Sequence, residues 1–168
     1  MKYLFILIVA FLICGCTKEN PMFDKITYKT TSCFGTCPTY YLEINSDKTF
    51  KLFAEQIYKD DFSIYGYELD SSKMGYFKGK LDDVTFKNLN QKLQKLLNPK
   101  YKYYRNGMIT DTPTITIVVQ RGGDKTCYQT RNPTDDFQTH VINFFNKICS
   151  GKVEKGEKFM TDYKFDCF

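Results

Sequence analysis

The chain has 168 residues, of which 42% are hydrophobic and 17% aromatic, so we expect one globular domain with its own core and exclude extended disorder. The formal net charge is only +5, and acidic residues are scattered among the basic ones. This balance excludes nucleic acid as a favoured partner.

The N-terminus predicts a cleaved leader and a lipid anchor. Lys2 precedes an apolar run, Tyr3–Ile13, that is too short to span a bilayer and is typical of a signal peptide. The following Cys14-Gly15-Cys16 resembles a bacterial lipobox, in which the cysteine after a small residue is acylated and begins the mature chain. We therefore predict a signal peptide at 1–15 and lipidation at Cys16. The alternatives are acylation of Cys14, which lacks a small preceding residue, and an ordinary secretory signal.

Residues 16–24 are mostly polar and are predicted to form a tether. Thr17 is not the aspartate that, by resemblance to sorted lipoproteins, favours retention at the inner membrane. We therefore expect a chain anchored to the membrane in the bacterial cell envelope, at the outer membrane of a two-membrane bacterium. The expected partner is an envelope protein or a glycan.

Residues 25–168 are predicted to form the globular domain, and its strands are indicated by apolar side chains at every second position. The alternation is regular in Tyr40–Ile44 and Phe50–Ala54, and pairing Ile44 with Phe50 places both apolar sets on one face. The predicted strands lie at residues 25–31, 40–44, 50–54, 73–80, 115–119 and 125–131.

Two apolar stripes at helical spacing follow. Asp82-Asp83 begins the first stripe and Asn98-Pro99 ends it, while Thr134-Asp135-Asp136 begins the second, which ends near Gly151. The stripes are Val84, Phe86, Leu89, Leu93, Leu96 and Leu97, and then Phe137, Val141, Phe144, Phe145 and Ile148. The predicted fold is α+β, an antiparallel sheet of about five to six strands with two helices packed on one face.

A short cysteine loop precedes the second predicted strand. Three residues separate Cys33 from Cys37, and Gly35 among them can adopt a positive φ, so a small disulfide-closed loop is feasible. Pro38 favours an extended exit from the loop. We favour a structural disulfide or a pair of buried thiols. The alternatives are a thiol-disulfide exchange site, although redox pairs usually have two intervening residues, and half of a zinc site.

The nine residues Ser32-Cys33-Phe34-Gly35-Thr36-Cys37-Pro38-Thr39-Tyr40 resemble the pattern Ser-Cys-Phe-Gly-x-Cys-Pro-x-Tyr of an uncharacterised family of bacterial domains, mostly secreted or lipid-anchored. In that family a strand and an Asp-Gly-Thr-like turn follow. Here Lys48 stands where the pattern usually has glycine, so the turn geometry is expected to differ. The resemblance covers roughly residues 25–148 and implies a shared domain with no known activity.

Five cysteines follow Cys16, an odd number. We predict that Cys33 pairs with Cys37 and that Cys149 pairs with Cys167, which leaves Cys127 free. Connectivity does not follow from sequence, so this pairing is a hypothesis.

Tyrosines interleaved with cations can stack on sugars or bases and hold anions. A candidate binding surface is therefore predicted at Tyr101, Tyr103, Tyr104 and Arg105. The alternative is an edge strand or loop whose tyrosines pack on the domain. Other polar residues have structural interpretations. His140 is expected at the surface, and the aspartate pairs before the helices as caps. A calcium site at Asp60-Asp61 with Glu68 and Asp70 lacks a regular ligand spacing.

The sequence thus predicts no catalytic residues, no metal and no cofactor. The favoured function is a membrane-tethered, non-catalytic binding or assembly module. The alternatives are a thiol-disulfide protein that uses Cys33 and Cys37, and an envelope hydrolase that would rest on His140 and scattered carboxylates.

Overall fold

In the part of the chain that the structure describes, a seven-stranded, fully antiparallel sheet and two α-helices form the fold, which is therefore α+β. The computed structural model describes residues 22–59, 66–97, 111–131 and 136–161. The strands are β1 (Lys25–Thr30), β2 (Thr39–Asn45), β3 (Thr49–Gln56), β4 (Gly75–Lys80), β5 (Ile115–Arg121), β6 (Asp124–Thr130) and β7 (Glu154–Lys155). Their order across the sheet is β6-β5-β1-β2-β3-β4-β7.

The central strands alternate as their sequences predict. Ile44 of β2 pairs with Phe50 of β3, which confirms the predicted register of this hairpin. The connecting turn contains Lys48 at φ 73°, a left-handed conformation that normally favours glycine. Its backbone amide donates to the Asn45 carbonyl at 3.0 Å, and its ammonium forms an ion pair with Asp83 at 2.5 Å. Lys48 therefore adopts a backbone conformation that glycine normally occupies in such turns.

The helices α1 (Asp83–Leu96) and α2 (Asp136–Cys149) begin and end near the predicted residues. Asp82 caps α1, since its carboxylate accepts a hydrogen bond from the Thr85 amide at 2.8 Å. Hydrogen bonds from the Thr85 hydroxyl and amide lower the pKa of Asp82. The capping prediction for Asp82 is thereby confirmed.

One face of the sheet, here called the inner face, carries Ile26 and Tyr28 of β1, Leu42 of β2 and Leu52 of β3. These four side chains are fully buried. The same hydrophobic core contains Leu89, Leu93 and Leu96 of α1 and Val141, Phe145 and Ile148 of α2.

An aromatic stack joins β1, an interior strand of the sheet, to the second helix. The rings of Tyr28 and Phe145 lie 4.7 Å apart and are nearly parallel, at 7°. The Tyr28 hydroxyl donates to Asn146 Oδ1 at 2.8 Å. The position of the C-terminal end of α2 therefore depends on β1.

The sheet has seven strands, so the predicted number of five to six is too low. The additional strand, β7, has two residues and pairs with Phe77 and Lys78 of β4. A strand of two residues has no period to read, which is why the sequence gives no sign of it.

After β7 the chain crosses the edge of the sheet to the outer face, the face opposite the inner one. Phe159 packs there against Tyr41 of β2 and Tyr76 of β4, at ring distances of 6.2 and 5.5 Å. Gly156 lies at the crossing, and its amide donates to the Tyr76 carbonyl at 2.9 Å. A Cβ at Gly156 would lie 2.9 Å from the Phe77 carbonyl carbon and 3.2 Å from the Lys78 amide nitrogen.

The close approach at Gly156 predicts that Gly156→Ala destabilises the protein by about 1–3 kcal/mol, because strand backbone in a sheet cannot move aside as a flexible side chain can. Chemical denaturation measures the effect. The exposed neighbour Glu157 provides the control, since Glu157→Ala changes the same segment without a steric clash. Equal stability of the two variants would contradict the prediction.

Candidate functional site

The cysteine loop, residues 31–38, connects β1 to β2 at one end of the sheet. Cys33 and Cys37 form a disulfide with their Cα atoms 5.6 Å apart, as predicted. Gly35 has a φ of 149°, a conformation that L-residues with side chains rarely adopt. Phe34 at the tip of the loop is 92% exposed.

The base of the loop is held by Thr30 at the end of β1. Its hydroxyl donates to the Pro38 carbonyl at 2.8 Å and accepts from the Tyr40 amide at 2.9 Å. Neighbouring Thr31 exchanges two further hydrogen bonds with Thr114, the residue before β5. A covalent bridge within the loop and hydrogen bonds at its base therefore fix its position relative to the sheet.

A cavity of about 640 Å³ opens beside this loop, within the usual range for small-molecule sites. Its walls come from the cysteine loop, the start of β2, the segment after β3, the turn Ser71–Lys73, β4, the end of α2 and the segment from there to β7. Its described lining residues are Thr36, Pro38, Tyr40, Ile57, Tyr58, Ser72, Lys73, Phe77, Cys149, Ser150, Gly151, Lys152, Val153 and Lys155.

Two groups in the cavity wall hold their protons tightly. Burial raises the pKa of the Cys149 thiol, so the thiol is neutral at physiological pH. Burial, with a smaller contribution from Cys149, raises the pKa of Tyr40 to about 12. A protonated thiol is a poor nucleophile and a protonated phenol is a hydrogen-bond donor, so this wall offers neutral rather than reactive groups.

Three lysines stand at the rim of the cavity. Lys73 forms an ion pair with Asp70 at 3.2 Å. The ammonium of Lys155 lies 4.3 Å from the centre of the Phe77 ring and donates to the Met74 carbonyl at 3.1 Å. Lys152 is exposed on the segment between α2 and β7. The rim is therefore cationic.

Comparison with known proteins identifies the family. The model of the family described as "Domain of unknown function (DUF6438)" matches residues 24–150, about three quarters of the chain. The chain belongs to this family. No curated protein matches the chain.

The DUF6438 span includes every element from β1 to α2, and hence most of the cavity wall. It stops at Ser150, so two of the three rim lysines, Lys152 and Lys155, lie beyond it. Most of the cavity wall thus belongs to the shared domain, whereas two of the three rim lysines come from the segment that follows it.

The predicted pairing of Cys149 with Cys167 is wrong, because Cys149 is a free thiol. It is the last residue of α2 and is only 6% exposed, so it forms part of the core. The prediction that Cys127 is free is also wrong, since Cys127 is disulfide-bonded. Alternation along the edge strand β6 places it on the outer face, opposite the neighbouring core residue Tyr128. Its partner lies outside the described residues.

The described residues of the other candidate sites, His140, Glu68 and Asp70, do not line the cavity. His140 is exposed on α2, as expected. Glu68 forms an ion pair with Lys59 at 2.6 Å, and Asp70 binds Lys73 and caps a short 3-10 turn, Ser71–Lys73. Both carboxylates therefore already have cationic partners, and Asp60 and Asp61 lie outside the described residues.

Several predicted sites also lie outside the described residues: Cys16, Tyr101, Tyr103, Tyr104, Arg105 and Cys167. Among residues 22–59, 66–97, 111–131 and 136–161, no three or more His, Cys, Asp or Glu side chains cluster so as to hold a metal ion. In the same ranges, no helix combines the length and apolar character that a membrane crossing requires.

The cavity and the lysines at its rim were not predicted from the sequence. Ser72, Lys73, Lys152 and Lys155 come from two segments separated by more than half of the domain, and no local pattern marks them as neighbours. The signal that the sequence does carry is the cysteine loop, whose Thr36 and Pro38 form one wall.

Proposed function

We propose that this chain is a lipoprotein of the bacterial cell envelope, anchored through Cys16, and that its DUF6438 domain is a non-catalytic binding module. The single observation that carries the binding role is the cavity of about 640 Å³ beside the disulfide loop. A binding site with a rigid wall loses little entropy when its ligand binds. The disulfide and the Thr30 hydrogen bonds provide such a wall.

The chemistry of the cavity wall favours binding over catalysis. Its described side chains that could act as nucleophiles include Cys149 and Tyr40, and burial raises the pKa of both. An active nucleophile needs a lowered pKa or an adjacent base. A neutral thiol and a neutral phenol instead suit a site that recognises its ligand without reacting with it.

The direction of β1 separates the proposed anchor from the cavity. The tether leads into β1 at Lys25, and the cysteine loop follows Thr30, so the six residues of the strand place the two ends roughly 20 Å apart. We further propose that both helices cover the inner face, since both contribute to its core. The cavity then opens at the end of the sheet away from an outer-membrane anchor, accessible to an envelope ligand.

The test uses the full-length protein expressed with its leader and purified from envelope membranes. We expect an intact mass that begins at an acylated Cys16, and a bound molecule that native mass spectrometry detects. Thr36→Trp places an indole at the exposed loop position that lines the cavity and should remove that molecule. Ser32→Trp is the matched control, because it is exposed on the same loop but does not line the cavity.

Two results would overturn the proposal. A soluble product with unmodified Cys16 would remove the anchor. Equal occupancy of the Thr36→Trp and Ser32→Trp proteins would show that binding, if present, takes place elsewhere.

A further inference from the structure

Among the residues that the structure describes, every charged side chain that lines the cavity is positive. Its described lining includes Lys73, Lys152 and Lys155 but no aspartate or glutamate. Asp70 offsets the charge of Lys73 from outside the lining. The C-terminal end of α2 adds roughly half a negative charge at Cys149 and Ser150. About one and a half positive charges therefore remain in excess.

The interior of the cavity is largely apolar. Ile57, Phe77 and Cys149 are at most 8% exposed, and Val153 packs against the same core. Tyr40 adds a phenol that stays protonated because burial raises its pKa to about 12. An apolar interior with a neutral hydrogen-bond donor and a cationic rim is complementary to a molecule with an apolar body and one anionic end.

A neutral sugar fits this arrangement less well. Sugars bind proteins by stacking on open aromatic faces, and the Lys155 ammonium occupies one face of the Phe77 ring at 4.3 Å. The lysine that covers the ring also adds a positive charge that a neutral sugar cannot use. The arrangement at Phe77 thus favours an anion over an uncharged glycan.

We infer that the cavity binds an anionic amphiphile, with a carboxylate or phosphate group at the lysine rim and a hydrocarbon or aromatic body against Ile57, Phe77 and Val153. This inference rests on the proposed function, since it names the ligand class of the same site. Because Lys152 and Lys155 lie beyond residues 24–150, the preference for an anion comes partly from the segment outside the DUF6438 match.

Four defined probes separate the contributions of charge and chain. Octanoate, octyl phosphate, neutral octyl glucoside and inorganic phosphate are titrated into the folded, disulfide-intact protein by calorimetry, below their micelle concentrations. We expect octanoate and octyl phosphate to bind at least about tenfold more tightly than octyl glucoside, and inorganic phosphate alone to bind more weakly still. Octanoate and octyl phosphate also distinguish a carboxylate from a phosphate ligand.

Variants then locate the binding. Lys152→Gln should weaken octyl phosphate binding about three- to tenfold, as expected for one partly exposed ion pair, while inorganic salt should reduce this difference. Lys147→Gln is the matched control, because Lys147 is an exposed lysine near the end of α2 that does not line the cavity. Thr36→Trp should abolish binding of both amphiphiles.

The outcomes distinguish the ligand class from the binding role. Equal affinity for octyl glucoside and octyl phosphate, both abolished by Thr36→Trp, would overturn the anionic ligand and leave the proposed binding function intact. Equal affinity for inorganic phosphate and octyl phosphate would overturn the apolar component. Failure of every amphiphile to bind would overturn the inference, and the molecule bound by the envelope-purified protein would then decide the proposed function separately.

Discussion

Replacing Phe145 with alanine is expected to lower the free energy of unfolding by about 3–5 kcal/mol. Phe145 is fully buried, and its ring stacks on Tyr28 of the interior strand β1 at 4.7 Å. Alanine would leave a cavity between α2 and the sheet, because the ring that stacks on Tyr28 would be lost. Chemical denaturation at neutral pH measures the loss.

The adjacent residue provides the control for this substitution. Phe144 is only half-buried, contacts Phe145 edge-on at 6.1 Å, and lies under the Lys92 ammonium at 5.5 Å. Phe144→Ala changes the same helix by the same number of atoms but should cost about 1–2 kcal/mol, because less apolar area leaves water. A loss as large as that of Phe145→Ala would contradict the assignment of Phe145 as the main contact between α2 and β1.

The stack also connects stability to the proposed site. Phe145 lies one helical turn before Cys149, and Cys149, Ser150 and Gly151 form one wall of the cavity. A weakened contact between Phe145 and Tyr28 should therefore loosen that wall as well as the core. Ligand affinity of any Phe145 variant that still folds is expected to fall together with its stability.

The sequence predicted the sheet and helices well where a repeating pattern was long enough to read. Residues 40–44 and 50–54 alternate strictly, so even the pairing of Ile44 with Phe50 followed from the need to keep Lys51 out of the core. The start of α1 could be predicted because Asp82 is a residue type that caps helices, and its carboxylate does cap α1. By contrast, β7 and the crossing at Gly156 depend on contact with β4, and no local pattern encodes such a contact.

The site was predicted only in part, and the reason is again geometric. The bridge between Cys33 and Cys37 closes within five residues, so the sequence restricts its geometry directly. The longer pairing failed because disulfide partners are chosen by spatial proximity: Cys149 is buried at the end of α2, whereas Cys127 lies on an edge strand facing the other side. The rim lysines were missed for the same reason.

Raising the pH above about 9 is expected to destabilise the fold through Cys149 and Tyr40 of the cavity wall and Tyr28 of the core. Burial raises the pKa of Cys149, Tyr28 and Tyr40 above their ordinary values of 9.0 for a thiol and 10.0 for a phenol. The unfolded chain loses these protons first, so the folded state binds more protons than the unfolded state at high pH. Stability is therefore complete below about pH 9 and falls as the pH rises.

Each group that ionises only in the unfolded chain contributes a loss of about 1.4 kcal/mol per pH unit, first from Cys149 and then, above pH 10, from the tyrosines. Denaturation at pH 8, 9, 10 and 11 in high salt measures the slope while screening the surface ion pairs. Tyr28→Phe should begin about 1 kcal/mol less stable, because the hydrogen bond to Asn146 is lost. Its slope above pH 10 should be shallower by about 1.4 kcal/mol per unit, since one titrating group is gone. A slope identical to that of the unsubstituted protein would show that the Tyr28 phenol does not hold its proton through burial beneath α2.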